Sequence, residues 1–177
     1  MSAPPAGRQP VKAGGGGQEG NGYTLIAQAP QITSHRAYSS LADYAFQQGA
    51  QEDDFIAAGW RENNHKGCLE LVIPTDTGTR YRFLDGQGQT WKNPPGYKAC
   101  WYKLPEALKI AQETGQPLVL VNGMGGTVSA QCHRIPAFCL TAGEGTTIPA
   151  ERLAELKAVY SGVIRVAFDC DSTGRAN

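Results

Sequence analysis

The sequence predicts an α/β fold: a small α+β module of basic tilt, followed by a mostly parallel sheet with flanking helices. Three observations predict it. Residues 68–83 alternate with period two and are interrupted by Pro74 and a Thr77-Gly78 turn, as in paired antiparallel strands. From Leu104 onward, helical segments alternate with short apolar runs, the pattern of parallel strands joined by helical crossovers. The run Val163–Phe168, mostly apolar and β-branched at its start, reads as a buried strand. It carries Asp169 and Asp171 at its C-terminal end, and Gly174 then turns the chain.

The elements follow in order. Residues 1–22 are rich in Gly, Pro, Ala and Gln, with glycine throughout 14–17, and bury too little to offset the entropy of ordering. Together with the stretch up to 37 they are expected to form a disordered leader. Ser39 or Ser40 opens a helix whose positions Leu41, Tyr44, Ala45 and Gln48 share a face, and Gly49 ends it. A second short helix over 52–58 presents Phe55 and Ile56 to a partner face. Two helices about Gly49 also fit a helix-turn-helix, but their shortness and early acidic residues oppose a role in reading a DNA groove. Strands over 68–73 and up to Phe83 follow, the second alternating Arg80 and Arg82 with Tyr81 and Phe83, until Asp85-Gly86-Gln87-Gly88 breaks it.

Leu104–Thr114 reads as a helix, with Pro105 tolerated in its first turn and Gly115 at its end. Then come a strand Leu118–Val121, a polar turn 122–126, a short helix 127–134 and a strand Ala137–Leu140. A helix over 149–160, packed through Leu153, Leu156 and Val159 or Tyr160, leads to the strand before Asp169. The expected organisation is therefore a leader 1–37, a first module 38–104 and a second module 105–177.

Composition narrows the function classes. With 41% hydrophobic residues in 177, the chain can bury a core. Its formal net charge of +0 gives no global field toward nucleic acid. Residues 61–109 nevertheless hold eight basic against five acidic side chains, a local tilt that suits either a phosphate-facing groove or a solvated face. Cys68, Cys100, Cys132, Cys139 and Cys170 are scattered singly among mostly apolar neighbours, so buried free thiols are expected and structural zinc is not. No secretory signal pattern and no run of eighteen apolar residues occurs, so the expectation is a cytoplasmic protein with no membrane partner.

The chemistry-bearing residues gather where strand C-terminal ends are predicted. Asp169 and Asp171 lie at alternating positions, so an extended segment puts both carboxylates on one side. Their mutual repulsion favours a divalent cation, and magnesium suits few carboxylates with phosphate oxygens. A calcium loop is opposed by the strand-like flank upstream and the missing glutamate at its twelfth place. Val121-Asn122-Gly123-Met124-Gly125-Gly126 lacks both the dinucleotide spacing and the Lys-Ser/Thr of a P-loop, but its turn can face backbone N–H groups to an anion. Asn122 offers an amide oxygen and no base. Lys92 and Lys98 lie among Trp91, Tyr97, Trp101 and Tyr102, where aromatics either stack on single-stranded bases or pack a seam between modules.

The order of these segments resembles the catalytic core of bacterial and phage DnaG-type primases, a basic module followed by a Toprim domain. The resemblance covers roughly residues 38–174. LADYAFQQGAQEDDFIAAGW is similar to the helical entry, LVIPTDTGTRYRFLDG to the strand pair, and WKNPPGYKACWYKLPEAL to the lysine-bearing approach. PLVLVNG resembles the first Toprim strand and turn, and VAFDCDSTGRA the DxD segment. The resemblance implies magnesium (or manganese) held by Asp169 and Asp171, catalytic positions Asn122, Asp169 and Asp171, nucleotide contacts at Gly123 and Gly174, and nucleic-acid contacts at Lys92, Lys98, Arg80 and Arg82. It also implies a single-stranded DNA template, ribonucleotide triphosphates and a replicative helicase as partners.

Two departures stand beside it. Asn122 occupies the position where the family has an acidic group, with Glu144 as a carboxylate that another loop supplies. The resemblance also breaks off after the DxD segment, which implies a truncated Toprim domain. Primer synthesis by magnesium-dependent nucleotidyl transfer is the leading expectation. A noncatalytic single-stranded nucleic-acid-binding or degenerate Toprim module is the alternative, and nuclease or topoisomerase chemistry has no supporting acidic cluster or tyrosine context.

Overall fold

The computed structural model describes residues 36–86, 90–142 and 147–168. The expected leader 1–35, the loop positions 87–89 and 143–146, and the segment 169–177 lie outside the described residues. The fold is mixed α and β: one antiparallel sheet and one sheet with parallel strands, flanked by helices.

The first module opens with α1 (Leu41–Gln47), whose N-terminus Ser40 caps by accepting the Asp43 N–H at 3.0 Å. It buries Leu41, Tyr44 and Ala45, as the helical spacing predicts. In α2 (Glu52–Ala57) the Asp54 carboxylate accepts the Gln51 N–H at 2.9 Å, and three acidic residues in the first turn suit the helix dipole. Phe55 enters the core, whereas Ile56 is 53% exposed, so the two do not share a packed face as expected.

Four antiparallel strands follow in the order β1 (Arg61–His65), β2 (Cys68–Thr75), β3 (Gly78–Phe83) and β4 (Trp91–Lys92). The spacing predicts neither β1 nor β4. All five residues of β1 are exposed and none alternates apolar with polar, so its pairing is carried by the backbone ladder to β2. Lys66 and Gly67 join the two strands with φ of 52° and 81°, the doubly positive pair of a hairpin whose twist matches its strands. Pro74 does not close β2 as expected. It pairs with Thr79, and β1 ends at the level of Val72, so no strand lies on its other side to miss an N–H.

The second sheet has the order β5 (Trp101–Tyr102), β7 (Ala137–Leu140), β6 (Leu118–Val121) and β8 (Ile164–Ala167). The pairs β6–β7 and β6–β8 are parallel and β5–β7 is antiparallel. Helix α3 (Leu104–Thr114) has the expected bounds, with Gly115 in the left-handed region. Helix α4 (Met124–Cys132) begins earlier than Thr127: Gly123 alone makes the turn at φ 78°, and its carbonyl accepts the Thr127 N–H at 3.2 Å and hydroxyl at 3.0 Å. Met124, 1% exposed, anchors that first turn in the core. In α5 (Ala150–Val159) only Leu156 of the expected stripe is buried, while Leu153 and Val159 are 38% and 56% exposed.

The expectation of a buried strand before Asp169 is corrected by β8. Among the described residues it pairs with β6 alone and stands at the end of the sheet order; Val166 is 61% exposed, and Val163, just before the strand, is 70% exposed. The thiols divide as well: Cys100 and Cys139 are buried and free, Cys68 is half-buried, Cys132 is exposed and Cys170 lies outside the described residues.

Apolar packing runs across position 104. Leu41, Tyr44, Phe55, Trp60, Leu71 and Ile73 form one cluster with Tyr102, Met124, Val128 and Cys139 of the second sheet and its helix. Within it Trp60 Nε1 donates to the Tyr102 hydroxyl at 2.6 Å. A second cluster packs α3 and Leu156 on the other side of the sheet through Leu118, Leu120, Phe138 and Leu140. At the surface, Ser129 of α4 and His133 just after it reach the carbonyls of Gln48 and Gly49, which follow α1.

Candidate functional site

The cleft of interest lies where the core face of β3 meets the first turn of α4 and the ends of β6 and β7. It encloses about 300 Å³ and is lined by Arg80, Arg82, Trp91, Tyr44 and Gln48, the turn 122–126, and Leu140–Ala142. Period two explains the arginines: Arg80 and Arg82 pair across the strand with Ile73 and Leu71, two core residues, and therefore point inward.

Arg80 is 7% exposed. Its Nε donates to Asn93 Oδ1 at 2.7 Å and its Nη1 to the Thr141 carbonyl, which ties β3 to the end of β7. Its Cζ lies over Trp91 at 4.5 Å and over Tyr97 at 5.6 Å. Arg82 sits over the same Trp91 at 5.0 Å and over Tyr44 and Tyr38 at 5.1 and 5.8 Å. The result is an alternating series, Tyr97, Arg80, Trp91, Arg82, Tyr44, in which aromatic faces hold two like charges that would otherwise repel. Burial lowers the proton affinity of Arg80 below its ordinary value, yet a guanidinium keeps its charge at neutral pH. Burial also pushes the Tyr44 phenol up to about 12, against an opposing pull from Arg82. Among the described residues Arg82 Nε is shielded from solvent and meets no hydrogen-bond partner.

The remaining wall is backbone. Asn122 follows β6 directly and is half-buried, and Gly123 releases the chain into α4. Among the described residues no side chain caps α4, and its first turn holds no acidic residue. Gly125 sits against α1, where a Cβ would overlap the Tyr44 hydroxyl and lie 2.9 Å from Gln48 Oε1. Among the described residues a Cβ at Gly126 would meet nothing within 4 Å.

Of the site residues predicted from sequence, Arg80, Arg82, Asn122 and Gly123 come together at this cleft. Lys92 does not. It pairs with Tyr81, on the opposite face of the sheet from Arg82 and Trp91, and its Nζ lies 5.9 Å from the Tyr81 ring. Lys98 is exposed and outside the lining. Trp101 and Tyr102, 5% and 4% exposed, are core, while Trp91 and Tyr97 spend their faces on arginine. Asp169, Asp171, Gly174 and Glu144 lie outside the described residues. Among the described residues no group of three or more His, Cys, Asp or Glu side chains gathers to hold a metal. Sequence reasoning missed Tyr44, Gln48 and Thr141, because helical spacing marks the first two only as packing or solvent positions and nothing local marks the third.

No protein-family profile matches the chain, and no curated protein matches it in sequence. Solved structures do resemble it. The primase fragment of the bacteriophage T7 primase-helicase protein is 13% identical with a TM-score of 0.48, over 86% of this chain and 66% of that one. The RNA polymerase domain of Mycobacterium tuberculosis primase DnaG is 20% identical with a TM-score of 0.47, over 80% and 54%. The same domain in complex with a double-stranded DNA oligomer carrying a 6-nucleotide overhang is 21% identical with a TM-score of 0.46, over 80% and 51%. The chain thus spans between about half and two thirds of the length of these structures, and the neighbours it resembles at low identity are primase fragments.

Proposed function

We propose that the chain is a primase-related module whose site makes short RNA primers on single-stranded DNA by divalent-metal-dependent nucleotidyl transfer. One observation carries the proposal. The parallel strands β6 and β8 are in register with Val121 opposite Ala167, so Asn122 and Phe168 leave the sheet at the same end. That end is where ligands of such sheets collect, and beside it stand Arg80 and Arg82. Asp169 and Asp171 follow Phe168 at once in sequence.

The described wall of the cleft holds two guanidinium groups and the amides of Gln48 and Asn122, so a metal site there would depend on the carboxylates of Asp169 and Asp171 with the Asn122 amide oxygen. That donor set suits magnesium or manganese, which would polarise the triphosphate. In the reaction the 3′ hydroxyl of the growing primer gives up its proton to solvent, its oxygen bonds to the α-phosphorus of a ribonucleoside triphosphate, the bond from that phosphorus to the bridging oxygen breaks, and pyrophosphate departs. Arg80 and Arg82 would neutralise charge that develops on the leaving phosphates. Gly123, at the turn into α4, would leave the backbone room near the nucleotide, and the resemblance gives Gly174 the same part. Lys92 and Lys98, exposed on other faces of the first module, would contact the template backbone as it approaches. A replicative helicase and a cytoplasmic setting complete the reading.

The test is incorporation of labelled ribonucleotides on a single-stranded DNA template with magnesium. Converting Asp169 and Asp171 to alanine should abolish it, and unchanged incorporation refutes the chemistry. A second reading, a binding module without catalysis, is favoured by the Asn122 amide where the family pattern has an acid. It expects salt-dependent binding of single strands by the parent chain with no incorporation at all.

A further inference from the structure

We propose that the face of the first sheet turned away from the core is a docking surface for this chain's own residues 23–33, covered through Tyr23, Leu25 and Ile26. The inference stands apart from primer synthesis, since it concerns neither metal nor nucleotide.

The depth of burial on that face comes first. Period two sends Glu70 and Val72 to the side opposite Leu71 and Ile73, with Asn63 and Arg61 beside them on β1 and Phe83 and Tyr81 on β3. Glu70 and Val72 are 2% and 5% exposed. Yet all of β1 is exposed, and α1 and α2 bury their residues in the cluster that holds Leu71 and Ile73. Among the described residues Val72 joins neither apolar cluster. An antiparallel sheet with one face on a core commonly meets water on the other, so burial this deep calls for a cover.

The chemistry of the face narrows what the cover is. Glu70 Oε1 accepts Asn63 Nδ2 at 2.7 Å, while Oε2 is shielded from solvent and meets no donor among the described residues. A cover must therefore be apolar over Val72, Tyr81 and Phe83 and bring a hydrogen-bond donor to Glu70. Residues 23–33 combine Tyr23, Leu25, Ile26 and Ile32 with the hydroxyls and amides of Thr24, Gln28, Gln31 and Thr33, and carry no charged side chain. A nucleic-acid strand fits poorly, because its phosphates would meet the buried carboxylate.

Position selects the same occupant. The Tyr38 N–H donates to the Leu84 carbonyl at 2.7 Å, so the chain arrives beside the Phe83 end of this face. The eleven residues from 27 to 38 reach up to about 36 Å when extended, against about 15 Å for the width of four strands. A tether this short holds the segment at roughly millimolar effective concentration, ahead of a second copy of the chain.

The experiment uses the full chain and needs no variant for its first arm. Hydrogen exchange read by mass spectrometry should show the amides of 24–27 exchanging about tenfold more slowly than those of 11–20. The second arm uses Cys68, half-buried on the same face as Glu70, with the exposed Cys132 as internal control. Leu25→Asp with Ile26→Asp should raise alkylation of Cys68 about fivefold and leave Cys132 unchanged. Exchange at 24–27 as fast as at 11–20 overturns the proposal, as does a Cys68 rate that the double variant does not move. Protection that disappears on dilution also overturns it and assigns the face to a second copy. None of these failures touches primer synthesis, which is read from incorporation and depends on Asp169 and Asp171.

Discussion

Gly125 in the first turn of α4 packs directly against Tyr44 of α1, and Gly125→Ala tests that contact. The new methyl would overlap the Tyr44 hydroxyl and lie 3.1 Å from Tyr44 Cζ and 2.9 Å from Gln48 Oε1. Gln48 can swing away, but Tyr44 cannot. Its ring stacks on Trp60 at 5.7 Å and meets Phe55 and Tyr38 edge-on at 5.6 and 5.0 Å, with 3% of the residue exposed. Overpacking of this kind costs about 1–3 kcal/mol. Alanine returns at most about 1 kcal/mol over glycine in helix propensity. Because the overlap falls on a side chain that cannot move, the cost should lie at the upper end, and the net expectation is a loss of about 2 kcal/mol, or about 4–8 °C in thermal midpoint for a domain of this size. Tyr44→Phe deletes the overlapping oxygen, so the double variant should recover most of the loss. Urea denaturation of the four proteins of the cycle measures that coupling, expected near 1 kcal/mol. If Gly125→Ala is as stable as the parent, or if the two substitutions add without coupling, the close approach between α1 and α4 is misread.

Two further predictions concern the core that spans the modules. Trp60→Phe keeps an aromatic ring but leaves the Tyr102 hydroxyl, 4% exposed, without the donor now at 2.6 Å, so the urea midpoint should fall by the equivalent of about 1–3 kcal/mol; an unchanged midpoint refutes it. Burial pushes the Tyr44 phenol up to about 12 from 10, and the Cys139 thiol up to about 12 from 9. Both are folded as neutral acids, so the unfolded chain loses their protons first. Their stabilisation is fully present below about pH 9 and is lost as pH rises through 12. The urea midpoint should hold from pH 7 to 9 and then decline, less steeply in Cys139→Ala; a decline of equal slope in that variant refutes the assignment.

Local punctuation made several elements legible. Pro105 and Gly115 bracket α3, and unbroken apolar runs mark β6 and β7, because those strands are covered on both faces and have no need to alternate. The polar strand β1 was illegible for the opposite reason: its side chains contribute nothing to the core, and its existence depends on the hairpin at Lys66-Gly67 and the edge that β2 offers. At the cleft, the alternation of Arg80 and Arg82 was readable, but their burial was not. A charged side chain reads as solvated unless something distant supplies partners, and here Trp91, Tyr44 and the Thr141 carbonyl come from three separate elements.

The amino-acid order alone therefore determined most helices and the apolar strands β2, β3, β6, β7 and β8, and which residues share a strand face, since these depend on backbone preference and short periods. Tertiary structure decided which face meets the core. Lys92 and Trp91 are neighbours in sequence, yet pairing with Tyr81 and Arg82 sends them to opposite sides of the sheet. It likewise decided that the apolar run at β8 stands at the end of the sheet order rather than inside it, because exposure depends on how many partners a strand finds and not on its own composition.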